Sequence, residues 1–140
     1  MAEGDITFSN HFKAELFKGN VDLDGDTFKV QLVNATPDID TWENEDDITG
    51  EISATGYTTG GKTLASLLVT ENDTNDRAEW DFADVTWTSL ATATINNAVV
   101  YLNTGVAATS IIVGWVAIST NSNGGDYTLQ INANGFAHLS

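Results

Sequence analysis

Apolar and polar positions alternate most clearly between Arg77 and Phe82, where Ala78, Trp80 and Phe82 interleave with Arg77, Glu79 and Asp81. A period of two puts the first set on the buried face of a β-strand and the second in water. The apolar run Thr63–Thr70 precedes this strand across an acidic turn, Glu71 to Asp76. The two segments read as a hairpin with a heavy aromatic load on one side. Phe28, Val30 and Leu32 alternate with Lys29 and Gln31 in the same way. Parity then switches, since Trp80 and Phe82 are even whereas Val85 and Trp87 are odd, which places a bulge or turn at Ala83-Asp84. Ala91–Leu102 reads as a strand with Ile95, Val99 and Tyr101 on one face and Ala98, Val100 and Leu102 on the other. Its apolar second half is expected to be covered on both sides. Ile111–Ile118, with Trp115, is the most apolar strand and is placed centrally, after a small-residue loop from Asn103 to Ser110. Tyr127, Leu129 and Ile131 alternate after Gly124-Gly125, and Asn134-Gly135 opens a last short strand, Phe136–Leu139.

One segment has helical spacing instead. Ser9 or Asn10 caps it, Phe12, Leu16 and Phe17 form a short apolar face, and Gly19 ends it. Lys13 and Lys18 take the other side, and Lys18 suits the negative helix end. A helix of about nine residues holds only when docked on something apolar. Two docking modes stay open: a lid on its own sandwich, or an arm on a neighbouring subunit. Asn34–Thr55 is a long connection with the chain's single proline, Pro37, and the acids Asp38, Asp40, Glu43, Glu45, Asp46, Asp47 and Glu51 around Trp42. Connections this long are usually functional or mobile. Trp42 is therefore either an exposed interface anchor or a ring tucked onto its own sheet.

These elements, seven or so short strands joined by polar glycine-bearing turns, predict an all-β fold. Specifically, residues 1–140 form a single antiparallel β-sandwich, jelly-roll-like, with one short N-terminal helix in an arm of residues 1–20. A parallel α/β fold is excluded because the connections cannot supply crossover helices.

Composition narrows the function classes. A length of 140 residues suits one domain with a real core, and the absence of cysteine removes disulfides and thiol chemistry. No apolar run approaches the ~20 residues of a membrane span. Met1–Asp5 lacks the basic and apolar regions of a secretion signal, so the expectation is a soluble chain made in a cytoplasm, with no membrane partner. Twenty acids against five bases, a net charge of −15, argue against nucleic acid, which needs clustered Lys and Arg.

Two motifs invite sharper chemistry. Gly56 to Thr63, GYTTGGKT, has the letters of a nucleotide-binding P-loop. That motif needs a buried strand before it and a helix after it, and Glu51–Thr55 and the short run to Asn72 supply neither. Lys62 then belongs to a glycine turn before a strand, and no small-molecule substrate is expected. Asp22-Leu23-Asp24-Gly25-Asp26 resembles the start of a calcium loop, but Val33 stands where its twelfth-position glutamate belongs. A calcium site and a solvated Asx turn both remain open there. His11 and His138 sit at opposite ends of the sequence outside any zinc spacing, and no G-x-S-x-G elbow presents a serine. An enzyme is not expected, and neither is a cofactor.

The run Thr55–Leu64, TGYTTGGKTL, with the segment Asn72–Trp87, NDTNDRAEWDFADVTW, resembles a family of small tailed-bacteriophage virion structural proteins. The likeness continues through Thr104–Ser110, Ile131–Gly135, the opening helix and Asp22–Val33, so it covers nearly the whole chain. It implies a capsid decoration (cement) protein, synthesised in the host bacterial cytoplasm and bound to the major capsid protein on the outer surface of the head. The alternative is a tail-associated receptor- or glycan-binding module using Trp42, Tyr57 or Trp87 as stacking platforms. Lattice symmetry suggests a homotrimer. The residues expected at capsid or subunit contacts are Phe12, Leu16 and Phe17, with Trp42 after them.

Overall fold

The computed structural model describes residues 6–140; the Met1–Asp5 segment, read above for signal character, lies outside the described residues. β1 (Thr7–Phe8) runs into α1 (Asn10–Phe17), and β2 (Phe28–Val33) follows. The long connection leads to β3 (Lys62–Thr63), β4 (Leu68–Asn72), β5 (Arg77–Asp81) and β6 (Val85–Trp87). β7 (Thr94–Leu102), β8 (Ile112–Asn121), β9 (Tyr127–Leu129) and β10 (Ala137–Leu139) complete the chain. Every described strand pairing is antiparallel. The fold is all-β and sandwich-like with one short helix, as the alternation predicts.

One layer is a five-stranded sheet in the order β1-β8-β7-β2-β3. The other is divided into a three-stranded sheet, β10-β5-β4, and a two-stranded one, β6-β9. Between the layers Phe28, Val30, Leu32, Val100 and Val116 meet Trp80, Phe82, Trp87 and Phe136 in one buried cluster. Trp80 is its hub, with its ring centroid 5.1 Å from Phe28, 5.2 Å from Phe82 and 5.9 Å from Phe136. Its indole Nε1 donates to the Leu23 carbonyl at 2.7 Å, so the polar end of the ring is satisfied as well.

The outer face of the five-stranded sheet carries a second cluster, Val33, Trp42, Val99, Tyr101, Ile112 and Trp115. Its cover is the Asn34–Thr55 connection, which proves to be pinned rather than loose. Backbone bonds run from Asn34 to Gly50, from Glu45 to Ser110 and from Ile112 to Glu43, each 2.8–2.9 Å long. This explains why β7 and β8 are apolar on both faces.

Two glycines set how closely the strands approach. A Cβ on Gly114 would lie 2.3 Å from the Thr7 carbonyl oxygen, so only glycine lets β1 cross there. At Gly61, with φ +77°, it would lie 1.8 Å from the Val30 carbonyl oxygen.

Several expectations need correction. Ile95 faces the inner cluster with Ala98 and Val100, not the outer one with Val99 and Tyr101. The β7–β8 ladder shifts register between Ile95 and Asn97, and such an irregularity breaks simple parity. β4 extends through Glu71 and Asn72, which sequence reading assigned to the turn, while much of the run from Thr63 to Leu67 is not strand. Arg77 and Glu79 do not stand in open water either. Their side chains are 13% and 15% exposed and form an ion pair at 2.7 Å.

Candidate functional site

The most distinctive surface feature grows out of the N-terminal segment. Ser9 caps α1 and is fully buried: its Oγ accepts from the Phe12 N–H at 3.0 Å and donates to the Ile112 carbonyl at 2.7 Å. Its own N–H donates to the Val113 carbonyl at 3.0 Å, so the helix start is bolted to β8. Docked this way, α1 is a lid on its own domain. Phe12 is 1% exposed and stacks on Phe8 at 5.4 Å. Leu16 is half-buried, while Phe17 is 95% exposed. The three residues therefore do not form one contact face, because about 100° of helix turn per residue separates Leu16 from Phe17.

Between α1 and the inner face of the three-stranded sheet lies a groove of about 390 Å3. Phe8, Phe12, Leu16 and Leu23 form one wall, and Val69, Ala78, Trp80 and Leu139 the other. Register explains the second wall. Val69 pairs with Trp80, Trp80 with Ala137, and Ala78 with Leu139, so these side chains share one face of the sheet. Small Ala78 leaves room where a larger residue would meet the helix. Val69 and Leu139 remain 40% and 47% exposed at the mouth, while Leu68, next to Val69 in β4 but on the opposite face, is 54% exposed. Acidic Asp22 and Asp24 stand at the rim.

Trp42 is 6% exposed, with its ring 6.2 Å from that of Trp115. Of its two readings the structure takes the tucked one, and the exposed anchor is withdrawn. The proposed stacking platforms fare similarly. Trp87 is fully buried between Tyr57, at 6.3 Å, and Tyr127, at 6.0 Å. Burial pushes the Tyr127 phenol up to about 12.

The glycine loop is held from three sides. The Glu51 carboxylate accepts from the Tyr57 hydroxyl at 2.8 Å and from the Gly60 N–H at 2.6 Å. The Tyr101 hydroxyl donates to the Gly60 carbonyl at 2.6 Å. Burial raises the Tyr57 phenol well above its usual range, with the Glu51 carboxylate adding to it against the Leu32 amide. Burial likewise lifts Tyr101 to about 12. Lys62 opens β3 rather than a helix and donates to the Thr86 carbonyl at 2.5 Å, lying 6.0 Å from the Trp87 ring centroid. Its amine and the amides of this loop serve the fold. Sequence reading missed the Glu51–Tyr57 brace, because nothing local ties an acid to a tyrosine six residues on.

The Asp22–Asp26 turn closes on itself. Asp22 Oδ1 accepts from the Gly25 N–H at 3.1 Å, and Asp26 Oδ2 accepts from the Asp22 N–H at 2.8 Å. These side-chain-to-backbone bonds span three and four residues, so the turn is tied to itself but is not the two-residue Asx turn of the sequence expectation. Among the described residues no group of three or more His, Cys, Asp or Glu is placed to hold a metal ion. His138 lines the groove and His11 is half-buried on α1. No described helix is long and apolar enough to cross a membrane. Set against family models, curated proteins and solved structures, the chain finds no match.

Proposed function

We propose that this chain is a bacteriophage virion structural protein that decorates the outer surface of the head and stabilises it by binding the assembled capsid protein. The observation that carries the reading is an apolar groove on a strongly acidic domain. Groups of exposed apolar side chains on a folded domain mark contact surfaces, and the groove mouth carries Val69 and Leu139. The resemblance of Thr55–Leu64 and Asn72–Trp87 to small virion proteins supports the same class.

Charge supports the outside position. At −15 per chain, many copies facing the lumen would repel packaged DNA, whereas outside they meet solvent and capsid. A clamp that binds only the assembled lattice stabilises it by mass action. A cyclic trimer suits threefold lattice sites. With Phe12 and Trp42 committed to the interior, Leu16 and Phe17 remain of the proposed contacts, joined by Val69 and Leu139. Of the stacking platforms the glycan-binding alternative would use, Trp42 and Trp87 are buried and Tyr57 is half-buried.

Cryo-electron microscopy of the virion tests the proposal. The expected result is density for this chain on the outside of the head. Density only in the tail, or inside the shell, would overturn it.

A further inference from the structure

We infer that Phe17 of one copy of this chain seats in the apolar groove of a neighbouring copy, so that α1 walls one socket and carries the plug for the next. The contact rests on the assembly part of the decoration reading, but self-association and capsid binding are measured separately.

Three observations meet here. Phe17 is 95% exposed, the most exposed of the large hydrophobic side chains among the described residues. The groove beside Trp80 and Ala78 measures about 390 Å3, more than the ~150 Å3 apolar cavity that accommodates a benzene ring. One sequence thus carries both an unburied aromatic ring and an open apolar space able to take one.

Charge selects the occupant. Two chains of −15 repel each other over most approaches. Phe17, however, is flanked by Lys13 and Lys18, both exposed and two of the five basic residues in the chain. Lys18 bonds Glu15 within its own helix, and Lys13 bonds the Asn10 side chain at 3.3 Å. The groove rim carries exposed Asp22 and Asp24. Seating Phe17 therefore brings the basic end of one copy to the acidic rim of another, which fixes orientation against the general repulsion. Plug and socket are different surfaces, so each copy donates one and offers one, and the contact repeats from copy to copy, giving a closed ring where the rotation between copies closes.

Light scattering of the full chain across a concentration series at physiological salt tests this. The expected mass exceeds the 15.0 kDa of one chain. Phe17→Ser removes the plug from an exposed position, should leave the melting temperature unchanged at dilutions where the parent is monomeric, and should weaken association by about tenfold or more. Leu139→Asp places a charge in the socket mouth and should do the same. Mixing the two variants restores one intact plug with one intact socket, and a species of two chains should reappear. A parent that stays at 15.0 kDa throughout, or a Phe17→Ser variant that assembles like the parent, would overturn the inference. A monomeric parent that binds purified capsids through Phe17 would assign the ring to the capsid protein instead, overturning self-docking while keeping the decoration reading. Assembly through Phe17 without capsid binding would do the reverse.

Discussion

The five-stranded sheet carries a buried cluster on each face, whereas the three-stranded sheet is only half covered. In the first, Val30, Leu32, Val100 and Val116 face the inner cluster, and Val99, Tyr101 and Ile112 lie beneath the Trp42 connection. In the second, Trp80 and Ala137 are buried, but Val69 and Leu139 on the same face reach solvent, and the outer edge of β4 pairs with no described strand. The first sheet satisfies its apolar surface within the chain. The second leaves some for another molecule, and Glu71 and Asp73 along and beside that edge guard it against indiscriminate strand pairing.

The largest effect should come from the residue that joins the two regions. Trp80→Ala opens the groove into the core and should cost about 3–5 kcal/mol, read by denaturant unfolding. A variant melting within a degree or two of the parent would mean the β5 faces are reversed. Trp42→Ala tests whether the connection really closes the outer face, with an expected loss of about 3 kcal/mol. A near-neutral result would return Trp42 to the surface.

The contrast sharpens with one substitution made in each sheet. Val30→Thr places a hydroxyl in the fully buried cluster and should cost about 1–3 kcal/mol. Val69→Thr, at the half-open groove, should stay within about 0.5 kcal/mol. Equal costs would erase the distinction between the sheets.

Alkaline titration gives a graded loss. Tyr101 and Tyr127 are raised to about 12 by burial, and Tyr57 is raised further. An unfolded phenol titrates near ~10, so the unfolded chain gives up these protons first. The stability the rings hold is complete below pH ~10 and falls as pH rises through the folded values. A melting temperature flat across that window would show the three phenols to be freely solvated. The smallest effect belongs to Lys62→Ala, within about 1 kcal/mol, because its bond to the Thr86 carbonyl is exposed. ATP hydrolysis abolished by this change would revive the nucleotide reading.

Local pattern was enough for the strands and the cap. Period-two runs at Phe28–Leu32, Ala78–Phe82 and Tyr127–Leu129 mark strands because side-chain direction alternates whatever lies opposite. Ser9 is legible as a cap because its oxygen serves an amide three residues on. Which apolar residue is exposed is not a local property. Phe12, Leu16 and Phe17 look equivalent in sequence, yet Phe12 is buried and Phe17 stands in water, because the bond from Ser9 to Ile112 fixes the rotation of the helix on β8. Trp42 reads equally well as anchor or core until Trp115, far along the chain, supplies its partner. The groove exists only through the β4–β5 and β5–β10 registers and the docking of α1, contacts between segments more than a hundred residues apart in part. Sequence alone determined the alternation, the charge and the turns, which depend on neighbours along the chain. Tertiary structure decided burial, and with it the exposed ring and the open groove, because burial depends on what the folded chain brings opposite each side chain.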